Sequence, residues 1–260
     1  MMQLRMMAES SLDAALLAMF AGGYQGAWYD PNDLSTLFQD SAGTTPVTAI
    51  GDPVGKMLDK SGNNRHMIQA TAAARPILRQ NSTTGKLYLE CDGIDDSMSC
   101  ANFNMSNTDD ITLAAGIRKE SDAAFGVVFE LSANTSTNNG VFGLYAPGSA
   151  AANMSFGSKG TALSLATKTG IASPYSAHIV VAADISLDNI SLSVNDLTAA
   201  TSASDQGTGN YGTHTAYLFR RGGSSSPFKG RFNGLFVIGR TCTIEELATL
   251  KAYYKEKTGT

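Results

Sequence analysis

Three short stretches of the chain gather side chains that can do chemistry. Glu90-Cys91-Asp92-Gly93-Ile94-Asp95 sets two carboxylates at i and i+2. On a strand both face the same way, near the ~5 Å that retaining glycoside hydrolysis needs between its two carboxyl groups. Asp59-Lys60-Ser61-Gly62-Asn63-Asn64-Arg65-His66 mixes donors suited to a metal loop, and Arg220, Arg221, Lys229 and Arg231 form the one basic cluster, a candidate for surface binding. Each stretch also has a plainer reading. A calcium loop converges several oxygen ligands, usually with more than one carboxylate, and here Asp59 stands alone. A turn in which Asp59 and Ser61 bond nearby backbone and Gly62 takes a positive φ uses the same residues. Gly93 ends the strand before Asp95, and no aromatic cluster flanks Glu90 to stack on a sugar ring. The basic cluster has the composition of a solvated hairpin loop. Residues 51–57 lack the spacing and hydroxyl of a phosphate loop, no Gly-x-Ser-x-Gly elbow occurs, and Cys91, Cys100 and Cys242 form no zinc pattern with the scattered His. The expectation is no catalytic residue, no metal and no cofactor.

The elements that must carry these residues follow from composition and period. With 43% hydrophobic residues, 16% charged and 26 Gly in 260 residues, the chain has the balance of an all-β protein with many short strands. A formal net charge of −4 argues against gripping nucleic acid or an anionic membrane through bulk electrostatics. Three cysteines cannot all pair and read as free buried thiols. No segment reaches the ~18 apolar residues of a membrane span. Glu9, Ser10, Ser11 and Asp13 interrupt the opening apolar run, so it is not read as a signal peptide, and assembly in a cytoplasm is expected.

Residues 10–21 read as a short amphipathic helix. Leu12, Leu16, Met19 and Phe20 fall at i, i+4, i+7 and i+8, and Gly22-Gly23 stops it. About three turns are marginal alone, so Leu12, Leu16, Leu17 and Phe20 are expected to dock, on this domain or on a neighbouring subunit. Residues 1–26 are taken as helix and linker, residues 27–260 as one domain. From Lys86 the period becomes two: Leu87, Leu89 and Cys91; Ile111, Leu113, Ala115 and Ile117; Phe125, Val127, Phe129 and Leu131. Roughly ten or more strands without intervening helices predict two packed antiparallel sheets. Asn195-Asp196 suits a two-residue hairpin turn. A C-terminal helix opens with a capping box at Thr243 and Glu246.

Trp28 with Asp30 and Asp33, Leu58-Asp59-Lys60-Ser61-Gly62-Asn63, Ala74-Arg75-Pro76, Asp92-Gly93-Ile94-Asp95-Asp96, Val194-Asn195-Asp196, Phe232 to Ile238 and Thr243 to Leu247 occur in an order that resembles the laminin-G-like, concanavalin A-like lectin domains. The resemblance spans roughly residues 27–259. The Leu37 to Asp40 and Gly51 to Gly55 segments resemble the versions found in tailed-bacteriophage structural proteins. The resemblance implies a two-sheet jelly-roll sandwich and a sugar- or surface-binding use. Glycosidases on this fold add a third carboxylate, a Glu, where this chain has Asp95, and within the resemblance Asp92-Gly93 is a turn.

The leading expectation is therefore a non-enzymatic virion structural protein, a tail, fibre or decoration component, that oligomerises and contacts other virion proteins through the N-terminal helix. The second is a dedicated carbohydrate-binding module for a host-surface glycan. The third is a glycoside hydrolase built on Glu90 and Asp92. No nucleic acid and no membrane partner is expected.

Overall fold

The computed structural model describes residues 11–260. Two sheets form, and every strand pair in them is antiparallel. The eight-stranded sheet contains β1 (Gly26–Tyr29), β5 (Ile77–Gln80), β6 (Leu87–Asp92), β8 (Asp110–Lys119), β13 (Tyr175–Asp184), β14 (Asn189–Val194), β15 (Ala200–Ser202) and β17 (Lys229–Ile238). Its order is β15-β14-β13-β8-β17-β6-β5, with β1 beside the second half of β17. The nine-stranded sheet contains β2 (Leu37–Phe38), β3 (Lys56–Met57), β4 (Met67–Ile68), β7 (Met98–Asn104), β9 (Val127–Leu131), β10 (Val141–Tyr145), β11 (Asn153–Lys159), β12 (Leu163–Thr169) and β16 (Thr213–Leu218), in the order β12-β11-β10-β9-β16-β7-β4-β3-β2. The result is an all-β jelly-roll sandwich, as the period of two predicts. Its core interleaves Leu89, Leu113, Ile117 and Phe232 from one sheet with Phe103, Phe129, Phe142 and Phe156 from the other.

A second apolar cluster lies on the outer face of the eight-stranded sheet. Residues 11–18 are helical, α1, and α2 spans Ile244–Thr258 with the expected capping box at Thr243 and Glu246 and a left-handed Gly259. Leu16, Met19 and Phe20 of the N-terminal segment join Leu250, Tyr253 and Tyr254 of α2 over Trp28, Ala114, Val180 and Phe236. The Phe20 and Phe236 rings are 4.9 Å apart. Leu12, Leu16 and Phe20 thus cover this chain's own sheet, while Leu17 faces outward at 50% exposure. The segment before Ser11, including Met1 to Ser10 of the expected linker unit, lies outside the described residues.

Buried charge fastens the two helices. Asp30, 2% exposed, accepts from Tyr253 Oη at 2.7 Å, Lys257 Nζ at 3.0 Å and the Asn32 N–H at 2.9 Å. Lys60 Nζ sits 3.0 Å from both Asp13 Oδ2 of α1 and Asp33 Oδ2, and 4.2 Å from the Trp28 ring centroid.

Two local expectations are corrected. Asn195 takes a positive φ of 52°, but Asp196 does not, and pairing resumes only at Ala200. The Asn195 side chain bonds the Ser176 carbonyl, the Tyr175 hydroxyl and the His178 N–H, which ties the turn to β13 and keeps it wider than two residues. Phe125 does not share the core face with Phe129 and Leu131. A bulge between Leu144 and Tyr145 shifts the β9–β10 register, and Phe125 stacks on Tyr145 outside the sandwich core.

Asp30→Ala should cost at least ~3 kcal/mol in chemical denaturation, because it strands a buried ammonium. Burial alone would raise the Asp30 carboxyl, yet Lys257, the Tyr253 hydroxyl and the Asn32 N–H hold it below its ordinary 3.8. A depressed folded-state value gives stability that is complete above the unfolded value and fades as pH falls through the folded one. Wild-type stability should therefore drop below about pH 4 more steeply than that of Asp30→Asn.

Candidate functional site

The four basic candidates do not form one site. Arg220 is consumed by its own loop, donating to the Ser224 carbonyl at 2.6 Å and the Asp95 carbonyl at 3.4 Å. Lys229 and Arg231 stand on the β17 segment that pairs with β6. There they line an open depression of about 620 Å³ with Arg75, Glu90, Asp92, Asp96 and Glu120.

Glu90, Glu120 and Arg231 in this depression are already ion-paired. Glu90 takes Arg79 Nε at 2.7 Å, and Arg231 Nε lies 3.3 Å from Glu120 with its guanidinium over Tyr88. Asp92 Oδ1 accepts the Ile94 and Asp95 N–H groups, so this carboxylate closes the turn expected after Glu90. Gly93 there has φ 78°. Glu90 is thus held by Arg79, and Asp92 by its own turn. Carboxylate oxygens of Asp92, Asp95 and Asp96 lie within 4.8 Å of one another. A hard cation takes about six to eight oxygens, and Asp92 and Asp96 already accept backbone N–H groups, so the cluster reads as a crowded turn. Burial, with Asp92, Asp95 and Glu90 adding their charge, pushes Asp96 up to about 6.

The Asp59 stretch is also a turn. Asp59 accepts from the N–H groups of Trp28, Ser61 and Arg65 and from the Ser61 hydroxyl. Gly62 has φ 90°, and His66 Nδ1 accepts from the Asp59 N–H. Both Asp59 carboxylate oxygens are thus bound to the chain.

Arg221, by contrast, reaches the outer face of the nine-stranded sheet, which no helix among the described residues covers. Strand alternation builds the place it occupies. Phe142 and Leu144 of β10 enter the core, so Gly143 and Tyr145 face out. Phe156 of β11 and Ala166 of β12 do the same, leaving Gly157, Leu163 and Leu165 on the open side. Leu163 is 43% and Leu165 50% exposed. A Cβ on Gly143 would stand 2.4 Å from the Tyr145 hydroxyl, and one on Gly157 would press on Leu165 at 3.0 Å. Glycine at both positions lets the Tyr145 ring lie close to the sheet. Phe125 stacks on Tyr145 with centroids 4.8 Å apart, and the Arg221 guanidinium sits 4.9 Å from the Phe125 centroid.

Behind the rings lies Glu130, fully buried. Arg221 donates to it from Nε at 3.1 and 3.0 Å and from Nη2 at 2.8 Å, and Tyr145 Oη donates to it at 3.3 Å. Burial alone would lower the Arg221 pKa, but Glu130 more than compensates and holds it above its ordinary range. Burial, reinforced by Glu130, pushes the Tyr145 phenol up, so it remains a neutral donor. Thr135, Ser136 and Gly148 complete a hollow of about 180 Å³ with Phe125, Tyr145, Leu163, Leu165 and Arg221.

Of this second site the sequence pointed only to Arg221. Two signals could have found the rest. Glu130 is a lone acid within an apolar strand run, which requires a cationic partner, and Leu163 and Leu165 are leucines at alternate positions of an otherwise polar strand.

The class this defines is a jelly-roll sandwich with one sheet face sheathed by helices and the other open. No protein-family model matches the chain, and no curated protein is similar to it in sequence. Solved structures share the fold. Domain 4 of AbnA, a GH43 extracellular arabinanase from Geobacillus stearothermophilus, solved with arabinotriose, superposes with a TM-score of 0.57 at 11% identity, over 88% of this chain and 98% of that one. The binding domain of botulinum neurotoxin serotype D gives 0.55 at 8% identity, over 79% of this chain and 50% of that one. The CBM40 module of a Ruminococcus gnavus sialidase, bound to α2,3-sialyllactose, gives 0.43 at 17% identity, over 55% and 83%.

Asp96→Asn should stabilise the protein at pH 7. The folded-state carboxyl lies above its unfolded 3.8, so ionisation is penalised in the fold; the penalty is complete above about 6 and fades as pH falls from there toward 3.8. Discounted for solvent screening, the gain is about 1 kcal/mol. It should vanish at pH 4, which urea titrations at the two pH values measure.

Proposed function

We propose that the chain is a non-catalytic glycan-binding module whose docking surface is the open face around Phe125, Tyr145, Arg221, Leu163 and Leu165. The observation that carries this reading is the aromatic pair, fixed by a buried Arg–Glu ion pair beside two exposed leucines, on the one sheet face that the helices leave bare. Exposed apolar groups gathered in this way mark interaction surfaces. A sugar ring offers an apolar C–H face and a rim of hydroxyls. Phe125 and the leucines suit the former, while Arg221, Thr135 and Ser136 suit the latter.

The shared fold with an arabinanase domain solved with arabinotriose and a toxin binding domain supports a binding role by analogy alone. None of the structures named above is a phage protein, so virion assembly has no comparable support. With Leu12, Leu16 and Phe20 turned onto the chain's own sheet, an assembly contact through the N-terminal helix would rest on Leu17.

A glycan array probed with the wild-type protein should give a selective response. Phe125→Ala or Leu165→Asp should weaken the best response about tenfold, the worth of one stacking or apolar contact of roughly 1.4 kcal/mol. Ile94→Ala, in the other depression's turn, should leave it unchanged. A flat array, or equal binding by Phe125→Ala, sinks the assignment.

A further inference from the structure

We infer that the open face takes an acidic saccharide, one whose carboxylate is received end-on by Nη1 and Nη2 of Arg221; this deepens, and rests on, the glycan-binding reading. The guanidinium carries five N–H donors along a rigid fork. Glu130 occupies one edge, taking Nε and one Nη2 hydrogen. The opposite edge is open. Nη1 makes no hydrogen bond among the described residues, Nη2 makes only a 3.5 Å contact to Thr135 Oγ1, and the side chain is 28% exposed. A planar carboxylate matches that remaining edge with two parallel hydrogen bonds.

The site is also set in advance for such a ligand. Glu130 and the Phe125 ring hold the guanidinium in one orientation, so little side-chain entropy remains to be lost on binding. Glu130 is bound on the Nε edge of the fork, so an anion at the free edge would stand closer to the guanidinium than to the acid.

Local charge points the same way. Lys159, 6% exposed, donates to the carbonyls of Thr135 at 3.3 Å and Ser136 at 2.8 Å and has no carboxylate partner among the described residues. The groups bound to this hollow are thus two cations and one acid, in a chain of net charge −4. In the larger depression, acids already answer Arg231 and crowd beside Lys229.

The test uses the full chain and matched pairs of acidic oligosaccharides (oligogalacturonate, hyaluronan fragments, sialyllactose) with their methyl esters, titrated calorimetrically. Every pair that binds should favour the free acid by about tenfold, the worth of a charge-assisted pair at a partly exposed site. Methyl esters that bind as tightly as the acids overturn the inference and leave the glycan reading standing. A protein that binds saccharides of neither kind overturns both. The double variant Arg221→Gln with Glu130→Gln removes the ion pair as a unit, so no lone charge is buried. Its acid-to-ester ratio should fall to about one, and an unchanged ratio in the folded variant rules out Arg221 as the receptor. Should that variant not fold, the ester pairs still decide.

Discussion

The arrangement depends on one buried carboxylate. Asp30 lies where β1 ends, and through Tyr253 and Lys257 it binds the last turns of α2 to the edge of the eight-stranded sheet. Lys60 extends the same charge cluster to Asp13 of α1. A charge taken out of water is tolerated only when its lone pairs are answered, and here they are answered by Tyr253 and Lys257 of α2 and by Asn32 just after β1. That commits one sheet face to a helical cover over Trp28 and Phe236. Among the described residues the other face has no such anchor, and Leu163 and Leu165 meet solvent there.

The two depressions differ in how they handle charge. In the larger one, Glu90, Glu120 and Arg231 pair at the surface, where such pairs contribute little, and Asp92 and Asp96 serve their own turn. In the smaller one, a single acid is buried completely and its partner is held half out of the protein. A buried ion pair is a costly way to gain stability; its clearer effect is to fix Arg221, Phe125 and Tyr145 relative to one another.

The strands were legible because alternation survives tertiary context wherever one face is buried, as at Ile190 to Val194. The capped C-terminal helix was legible for a similarly local reason, the Thr243/Glu246 reciprocity. Face assignment failed at Phe125, since Val128 is an extra residue in β9 opposite Leu144 and Tyr145, and the residues before it switch faces although the sequence alternation continues unbroken. The Arg220–Arg231 cluster was contiguous in sequence but straddles a turn, so β16 and β17 carry its members to opposite sheets. Glu130 and Arg221 are 91 positions apart, and nothing local pairs them. Amphipathicity showed that Leu16 and Phe20 are buried; their partner, Phe236, came only with the fold.

Ser11, the first described residue, lies in α1, and Thr260 bonds His178 of β13 beside α2, so both lie on the sheathed side. A group attached at Thr260 would therefore lie on the opposite side of the sandwich from Arg221 and its two rings.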